Sequence, residues 1–184
     1  MKQSGVRIIA GQWRGRRLQV LEGEGLRPTP DRVRETLFNW LAPTIAHARC
    51  LDVFSGSGAL GFEALSRGAA YVEMVDQSAA VVGLLQQELL RFGASNACVY
   101  QAKAPLQLHQ VEKPFDIVFL DPPYQSDLLF TCCQYLETHG FLASQSHIYL
   151  EANQIIKDND LPSNWQLIKK QHAGQVYYHL ALRK

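Results

Sequence analysis

No apolar run in the sequence is long enough to cross a bilayer, so a helical integral membrane protein is excluded and a water-soluble chain is expected. The opening Met1-Lys2-Gln3-Ser4-Gly5-Val6-Arg7 has no apolar stretch and no small-residue cleavage site, so no signal peptide is read and the cytoplasm is the expected compartment. Cysteine is scarce. The four present, Cys50, Cys98, Cys132 and Cys133, show no C-x-x-C spacing and no histidine at ligand spacing, so no metal is assigned and reduced core thiols are expected. Repeats and low-complexity tracts are absent too. With 184 residues, 47% of them hydrophobic and 19% charged, there is enough chain for one domain with a substantial core. There is too little for a large separate recognition domain. One domain over 1–184 is expected, with 1–28 as an N-terminal arm, and a monomer.

The chain also lacks an excess of either charge, at a formal net of +1, but the charge is unevenly placed. Residues 1–34 carry eight basic side chains (Lys2, Arg7, Arg14, Arg16, Arg17, Arg27, Arg32, Arg34) against three acidic ones (Glu22, Glu24, Asp31), a local +5 that leaves −4 on the rest. Val6 to Ala10 and Arg16 to Val20 flank a glycine-bearing turn and predict a basic hairpin. Its arginines Arg7, Arg14, Arg16 and Arg17 suit a phosphate backbone, and a solvated surface hairpin is the alternative.

After a loop from Leu21 to Pro28, Thr29-Pro30 predicts a helix start with a hydroxyl cap, and the helix runs to about Leu41 on the apolar face Val33, Leu37, Trp40 and Leu41. From Cys50 strand and helix alternate, which predicts a Rossmann-like α/β fold with a mostly parallel sheet. Strands are expected near 50–54, 71–75, 97–101 and 115–120, and helices near 59–67, 78–92, 104–111 and 126–138. Gly68, Gly93 and Gly140 are placed as helix C-caps and Ser126 as an N-cap. A further strand at 147–151 precedes a pair near 165–171 and 175–182, separated by Ala173-Gly174 and read as an antiparallel hairpin closing the sheet.

Two motifs carry chemistry. Leu51-Asp52-Val53-Phe54-Ser55-Gly56-Ser57-Gly58-Ala59-Leu60-Gly61 is a strand entering a glycine-rich turn and a helix, where backbone can approach a ligand and free N–H groups meet a polar or negative group. Dinucleotide enzymes use the same pattern. Asp76, ending the next strand, is placed for ribose hydroxyls, or for the dipole of the helix that follows. Asp52, ahead of the glycines, suits the amino group of a methionine moiety and tilts the reading from NAD toward S-adenosylmethionine. The second motif, Asp121-Pro122-Pro123-Tyr124, follows the apolar strand 115–120. An exocyclic base amine is a poor nucleophile because its lone pair is conjugated into the ring. Asp121 and the Pro122 carbonyl can accept its two hydrogens, Pro123 stiffens the turn, and Tyr124 can stack on the base for about 1–3 kcal/mol. In-line attack on the methyl, without a covalent enzyme intermediate, is the expected reaction, and a base within a duplex must be flipped out.

Arg7-Ile8-Ile9-Ala10-Gly11 with Trp13-Arg14-Gly15-Arg16, Leu26-Arg27-Pro28-Thr29, Asp31-Arg32-Val33-Arg34-Glu35-Thr36-Leu37-Phe38-Asn39, the glycine turn, Glu63 to Ala69, the 121–124 loop and Ala173-Gly174-Gln175-Val176 resemble the RsmD family over nearly the whole chain. The resemblance implies a class I S-adenosylmethionine-dependent methyltransferase fold: a seven-stranded, mostly parallel sheet with an antiparallel C-terminal hairpin, plus the small N-terminal hairpin. It implies methylation of a guanine N2 amine in 16S rRNA, on the 30S subunit or an assembly intermediate. It places cofactor contacts on Asp52, Phe54, Gly56, Ser57, Gly58, Gly61 and Asp76, catalysis on 121–124, and a cofactor-closing segment on Thr29 to Glu35. After the third strand the fold usually offers Asp or Asn to adenine, whereas this chain has Lys103-Ala104, leaving Ala104 and backbone to serve. Rival readings are a DNA adenine or cytosine amino-methyltransferase, disfavoured by the missing recognition region, and a cofactor-bound ribosome assembly factor.

Overall fold

The computed structural model describes residues 5–21, 29–123 and 127–184. The expectations placed on the loop at 22–28, on Tyr124 and on Ser126 lie outside them.

In chain order the elements are β1 (Gly5–Arg7), β2 (Arg17–Gln19), α1 (Asp31–Trp40), β3 (Arg49–Asp52), α2 (Ala59–Ser66), β4 (Tyr71–Asp76), α3 (Ala79–Phe92), β5 (Ala97–Gln101), β6 (Phe115–Leu120), α4 (Leu128–Thr138), β7 (Leu142–Ala152), β8 (Trp165–Ala173) and β9 (Val176–Arg183). A 3-10 turn at Asp158–Asp160 precedes β8. β3 to β9 form one seven-stranded sheet in the order β5-β4-β3-β6-β7-β9-β8. β5 through β7 are mutually parallel, and β9 runs antiparallel to both β7 and β8. The expected fold class is therefore the observed one.

This order places the site. The chain starts in the middle at β3, winds outward through β4 and β5, then returns to lay β6 on β3's other side. The reversal between β3 and β6 opens a crevice at their C-terminal ends, where parallel α/β sheets bind ligands. Asp52 closes β3 and Asp121 follows β6, so both stand at that crevice.

The core has two parts, one on each sheet face. On one face Cys50, Met74, Ile117, Phe119 and Tyr149 pack with α1, α2 and α3, and Val6, Ile8, Trp13 and Leu18 of the hairpin join the same cluster. Trp13 meets Phe62 and Phe92 at centroid distances of 6.3 and 5.0 Å. Gly11 is fixed by this docking: at φ 82° a Cβ there would lie 1.8 Å from the Ser66 carbonyl oxygen, while Gln12 N–H donates to that oxygen at 2.8 Å. The other face buries Leu51, Val75, Val118, Leu120, Ile148 and Leu150 under α4.

Three local expectations are corrected. The 104–111 segment forms turns and not a helix, because only Ala104, Pro105 and Leu108 are buried along it, too narrow an apolar stripe to hold one. Thr29 does not cap α1. Pro30 occupies the cap position, its carbonyl accepts from Val33 and Arg34 N–H at 2.9 and 3.1 Å, and Asp31 supplies the first-turn negative charge. β7 begins at Leu142, five residues before the expected start. Gln145 interrupts its pattern with φ 64°, and the register against β6 shifts between Phe115 and Ile117. The final hairpin turns at Gly174-Gln175, with Ala173 paired to Val176.

Candidate active site

Residues two apart on a strand share a face. Asp76, Asp52, Asp121 and Glu151 each follow by two a residue of the α1-side core (Met74, Cys50, Phe119 and Tyr149). On the adjacent strands β4, β3, β6 and β7 they form a row of four carboxylates along the crevice.

Each is held differently. Asp52 is 2% exposed and its Oδ2 accepts from Gly61 N–H at 3.1 Å, in the first turn of α2. Burial raises its pKa to about 7; Asp76 adds to the rise, and the N–H groups of Gly61 and Phe54 oppose it. Asp76 accepts from Gly56 N–H at 2.9 Å and from Ser78 N–H at 2.8 Å. Asp121 Oδ2 accepts from the Thr29 hydroxyl at 3.3 Å. Burial pushes the Asp121 carboxyl well above the usual range, and Glu151 and Asp52 push it further, against the Thr29 donor. Glu151, 3% exposed, accepts from the Tyr149 hydroxyl at 2.8 Å.

The glycine turn is shaped by packing as much as by any ligand. A Cβ on Gly61 would come within 2.5 Å of Met74 Sδ and 3.4 Å of Asp52 Oδ2, so the third glycine is what lets α2 lie against β4. Ser55, buried, ties the strands: its hydroxyl donates to the Asp52 carbonyl at 3.0 Å and accepts from Val75 N–H at 3.0 Å. Phe54, Gly56 and Ser57 are partly exposed at the crevice, while Gly58 is buried with φ 74°. Ala104 is buried, and Lys103 N–H donates to Gln107 Oε1 at 2.9 Å. Pro122 is buried and Pro123 exposed beyond Asp121. The structure thus gathers Asp52, Gly56, Asp76, Asp121 and Thr29 by direct hydrogen bonds or at one crevice.

Sequence reading missed the support behind Thr29. Arg34 and Glu63 are fully buried. Glu63 takes Ile9 and Ala10 N–H at 2.9 and 3.1 Å, Arg67 Nε at 2.7 Å and Arg34 at 3.5 Å. Arg34 also donates to Asp31 at 2.6 Å, to the Arg7 carbonyl at 2.8 Å and to the Thr29 carbonyl at 3.2 Å. The hairpin is therefore bonded through Arg34 to the residue that touches Asp121.

The four hairpin arginines are all exposed, but three are engaged. Arg7 pairs with Asp31 at 3.2 Å, Arg16 lies 3.8 Å over the Phe92 ring, and Arg17 donates to the Gly5 carbonyl at 3.0 Å. Among the described residues, a cleft of about 390 Å³ is lined by Arg7, Arg17, Thr29, Pro30 and Asp31, leading from the hairpin to the Thr29 side of the crevice. No described helix is long and apolar enough to cross a membrane, and no described side-chain cluster suits a metal ion.

The profile of a family described as Conserved hypothetical protein 95 matches residues 6–182. The Escherichia coli K12 protein named Ribosomal RNA small subunit methyltransferase D is 49% identical over 179 residues, 97% of this chain and 90% of its own length. The chain belongs to the RsmD family. The Haemophilus influenzae protein of the same name is 45% identical over 181 residues, 95% of this chain and 92% of that one. The solved structure of the Escherichia coli protein yhhF superposes with a TM-score of 0.89 at 46% identity, over 98% of this chain and 99% of that one. A Geobacter metallireducens precorrin-6y C5,15-methyltransferase, at 17% identity and a TM-score of 0.69 over 90% and 94% of the two chains, shares the fold alone. By family this RsmD-family chain is a methyltransferase.

Proposed function

We propose that the chain transfers a methyl group from S-adenosylmethionine to the N2 amine of a guanine in 16S rRNA, on the 30S subunit or an assembly intermediate. It acts as one unit over 1–184, with 1–28 as an RNA-holding arm. The observation that carries this reading is the carboxylate row at the β3/β6 crevice in a chain 49% identical to a named small-subunit rRNA methyltransferase.

The residues fit the donor. It carries a sulfonium and an ammonium against a single carboxylate, and a row of four carboxylates, two of which (Asp52 and Asp121) have raised proton affinity, is short of a cation. Asp52 would take the ammonium, Asp76 the ribose hydroxyls, and Phe54, Gly56, Ser57, Gly58, Gly61, Thr29 and Ala104 would shape the remaining surface. When bound, the cofactor supplies an electrophilic methyl group.

Asp121 and the Pro122 carbonyl accept the amine hydrogens, which withdraws the nitrogen lone pair from ring conjugation. Pro123 holds the turn rigid, and Tyr124 stacks on the flipped base. The Thr29 hydroxyl keeps Asp121 oriented without neutralising it.

Asp52 gives the cofactor assignment a pH signature. Its pKa of about 7 in the free protein falls when a cation is bound, so binding releases a proton below that pH. Affinity should tighten as pH rises toward about 7, by up to about tenfold per unit, and level off above it. Titration calorimetry in buffers of different ionisation enthalpy reads both affinity and proton release, and a pH-independent Kd with no proton release would remove Asp52 from the ammonium site.

For the arm, replacing Arg14, Arg16 and Arg17 by alanine should weaken RNA binding and lower the slope of log K against log salt by up to about 3. An unchanged slope would return the hairpin to a solvated structural role. Parallel assays on 30S particles, naked 16S rRNA and duplex DNA test the substrate class: the reading requires RNA-containing substrates to be methylated and DNA not.

A further inference from the structure

Glu151 is a buried carboxylate at the C-terminal end of β7 to which nothing in the sequence motifs draws attention. The parallel ladder pairs Leu120 with Leu150, so the next residues, Asp121 and Glu151, lie side by side on the same face. The two side chains leave adjacent strands toward the same crevice, and the Glu151 charge adds to the rise in Asp121 proton affinity; carboxylates so placed can bond one another only through a proton held between them. Asp121 also faces Asp52 from β3 and the Thr29 hydroxyl from the lead into α1. Glu151 receives the Tyr149 hydroxyl at 2.8 Å, and Tyr178 on β9 is its ladder partner.

We propose that Glu151 is a positioning residue for methyl transfer: it holds one proton in common with Asp121, and the pair, not Asp121 alone, takes up the proton that leaves the amine. The inference rests on the methyltransferase reading above. As the N–C bond forms with the nitrogen lone pair and the S–C bond breaks with its electrons left on sulfur, the nitrogen carries two hydrogens and a positive charge. One proton passes to Asp121, the pair goes from one shared proton to two, and the second proton is released to water as product leaves. Sharing spreads the arriving proton over two carboxyls.

The test compares wild type with Glu151→Gln and Tyr149→Phe, read by the pH profile of kcat and by carboxyl-carbon NMR titration of the cofactor-free protein. In wild type the two carboxyls should titrate as a coupled pair in two well-separated steps. Glu151→Gln should lower kcat by about tenfold to a hundredfold with KM for RNA little changed, and move the acid limb to lower pH by about one unit or more, because Asp121 loses its charged neighbour. Tyr149→Phe, which keeps the pair but removes a donor to its anion, should move that limb the opposite way. Opposite shifts are not expected of two side chains that merely pack. Independent titration of Asp121 and Glu151, or an acid limb unmoved in both variants, would overturn the proposal. If Glu151→Gln does not fold, Tyr149→Phe and the wild-type titration decide it. An inactive wild type with an intact coupled pair would instead contradict the methyltransferase reading.

Discussion

Replacing Asp121 by alanine should lower kcat for methyl transfer by about a hundredfold to ten-thousandfold while changing cofactor affinity only several-fold. The asymmetry follows from position. Asp121 follows β6, away from the glycine turn, and on the proposed reading it serves the acceptor, whereas Asp52 and Asp76, bonded to Gly61 and Gly56 of that turn, are proposed to serve the cofactor. The same substitution should not destabilise the protein at neutral pH. A carboxyl whose proton affinity is raised by folding stabilises the native state fully below its unfolded pKa, and loses that contribution as pH rises from there through its raised folded value. Asp121 is such a group, crowded by Glu151 and Asp52, so above the ordinary carboxylate range its removal relieves strain. Single-turnover kinetics beside urea melts at pH 8 separate the two effects. A variant that keeps wild-type kcat, or that loses activity only by unfolding, contradicts the role.

Glu63→Ala should be strongly destabilising, by about 3–5 kcal/mol. Four donors converge on this buried carboxylate: Ile9 N–H, Ala10 N–H, Arg34 and Arg67. Removing it leaves Arg34, itself fully buried, with the half-exposed Asp31 as its counter-charge, and leaves the Ile9 and Ala10 N–H groups without their acceptor, so that the hairpin is bonded to α2 through Ser66. For a chain of this size the melting temperature should fall by roughly 10 °C or more. Glu63→Gln, which keeps an acceptor oxygen, should lose less. A Glu63→Ala loss under about 1 kcal/mol would mean that Trp13 and its aromatic neighbours hold the hairpin without the ion pairs.

These two sites show where the sequence was and was not legible. Asp52, Asp76 and Asp121 could be placed because each ends an apolar strand, and alternating strands and helices put such ends on one edge of a parallel sheet. Arg34 could not. It sits between Val33 and Leu37 on α1, where a charged residue reads as solvent-facing, and its burial is decided by partners on β1, α2 and the lead into α1. Glu63 was hidden for the same reason, as was Glu151, whose contact with Asp121 depends on a β6–β7 register set after a bulge. Thr29 was singled out for the wrong bond: its hydroxyl donates to Asp121 and caps no helix. Propensity supplied elements and edges, but contacts between segments far apart in sequence had to come from tertiary structure.

The central claim is a matter of which atom receives the methyl group. Incubating the chain with 30S subunits and isotopically labelled S-adenosylmethionine, then digesting the 16S rRNA to nucleosides for mass spectrometry, should give labelled N2-methylguanosine at a single position, and no product with Asp121→Ala. Label on an adenine or cytosine amine, or none on the RNA of a cofactor-binding wild type, would contradict it.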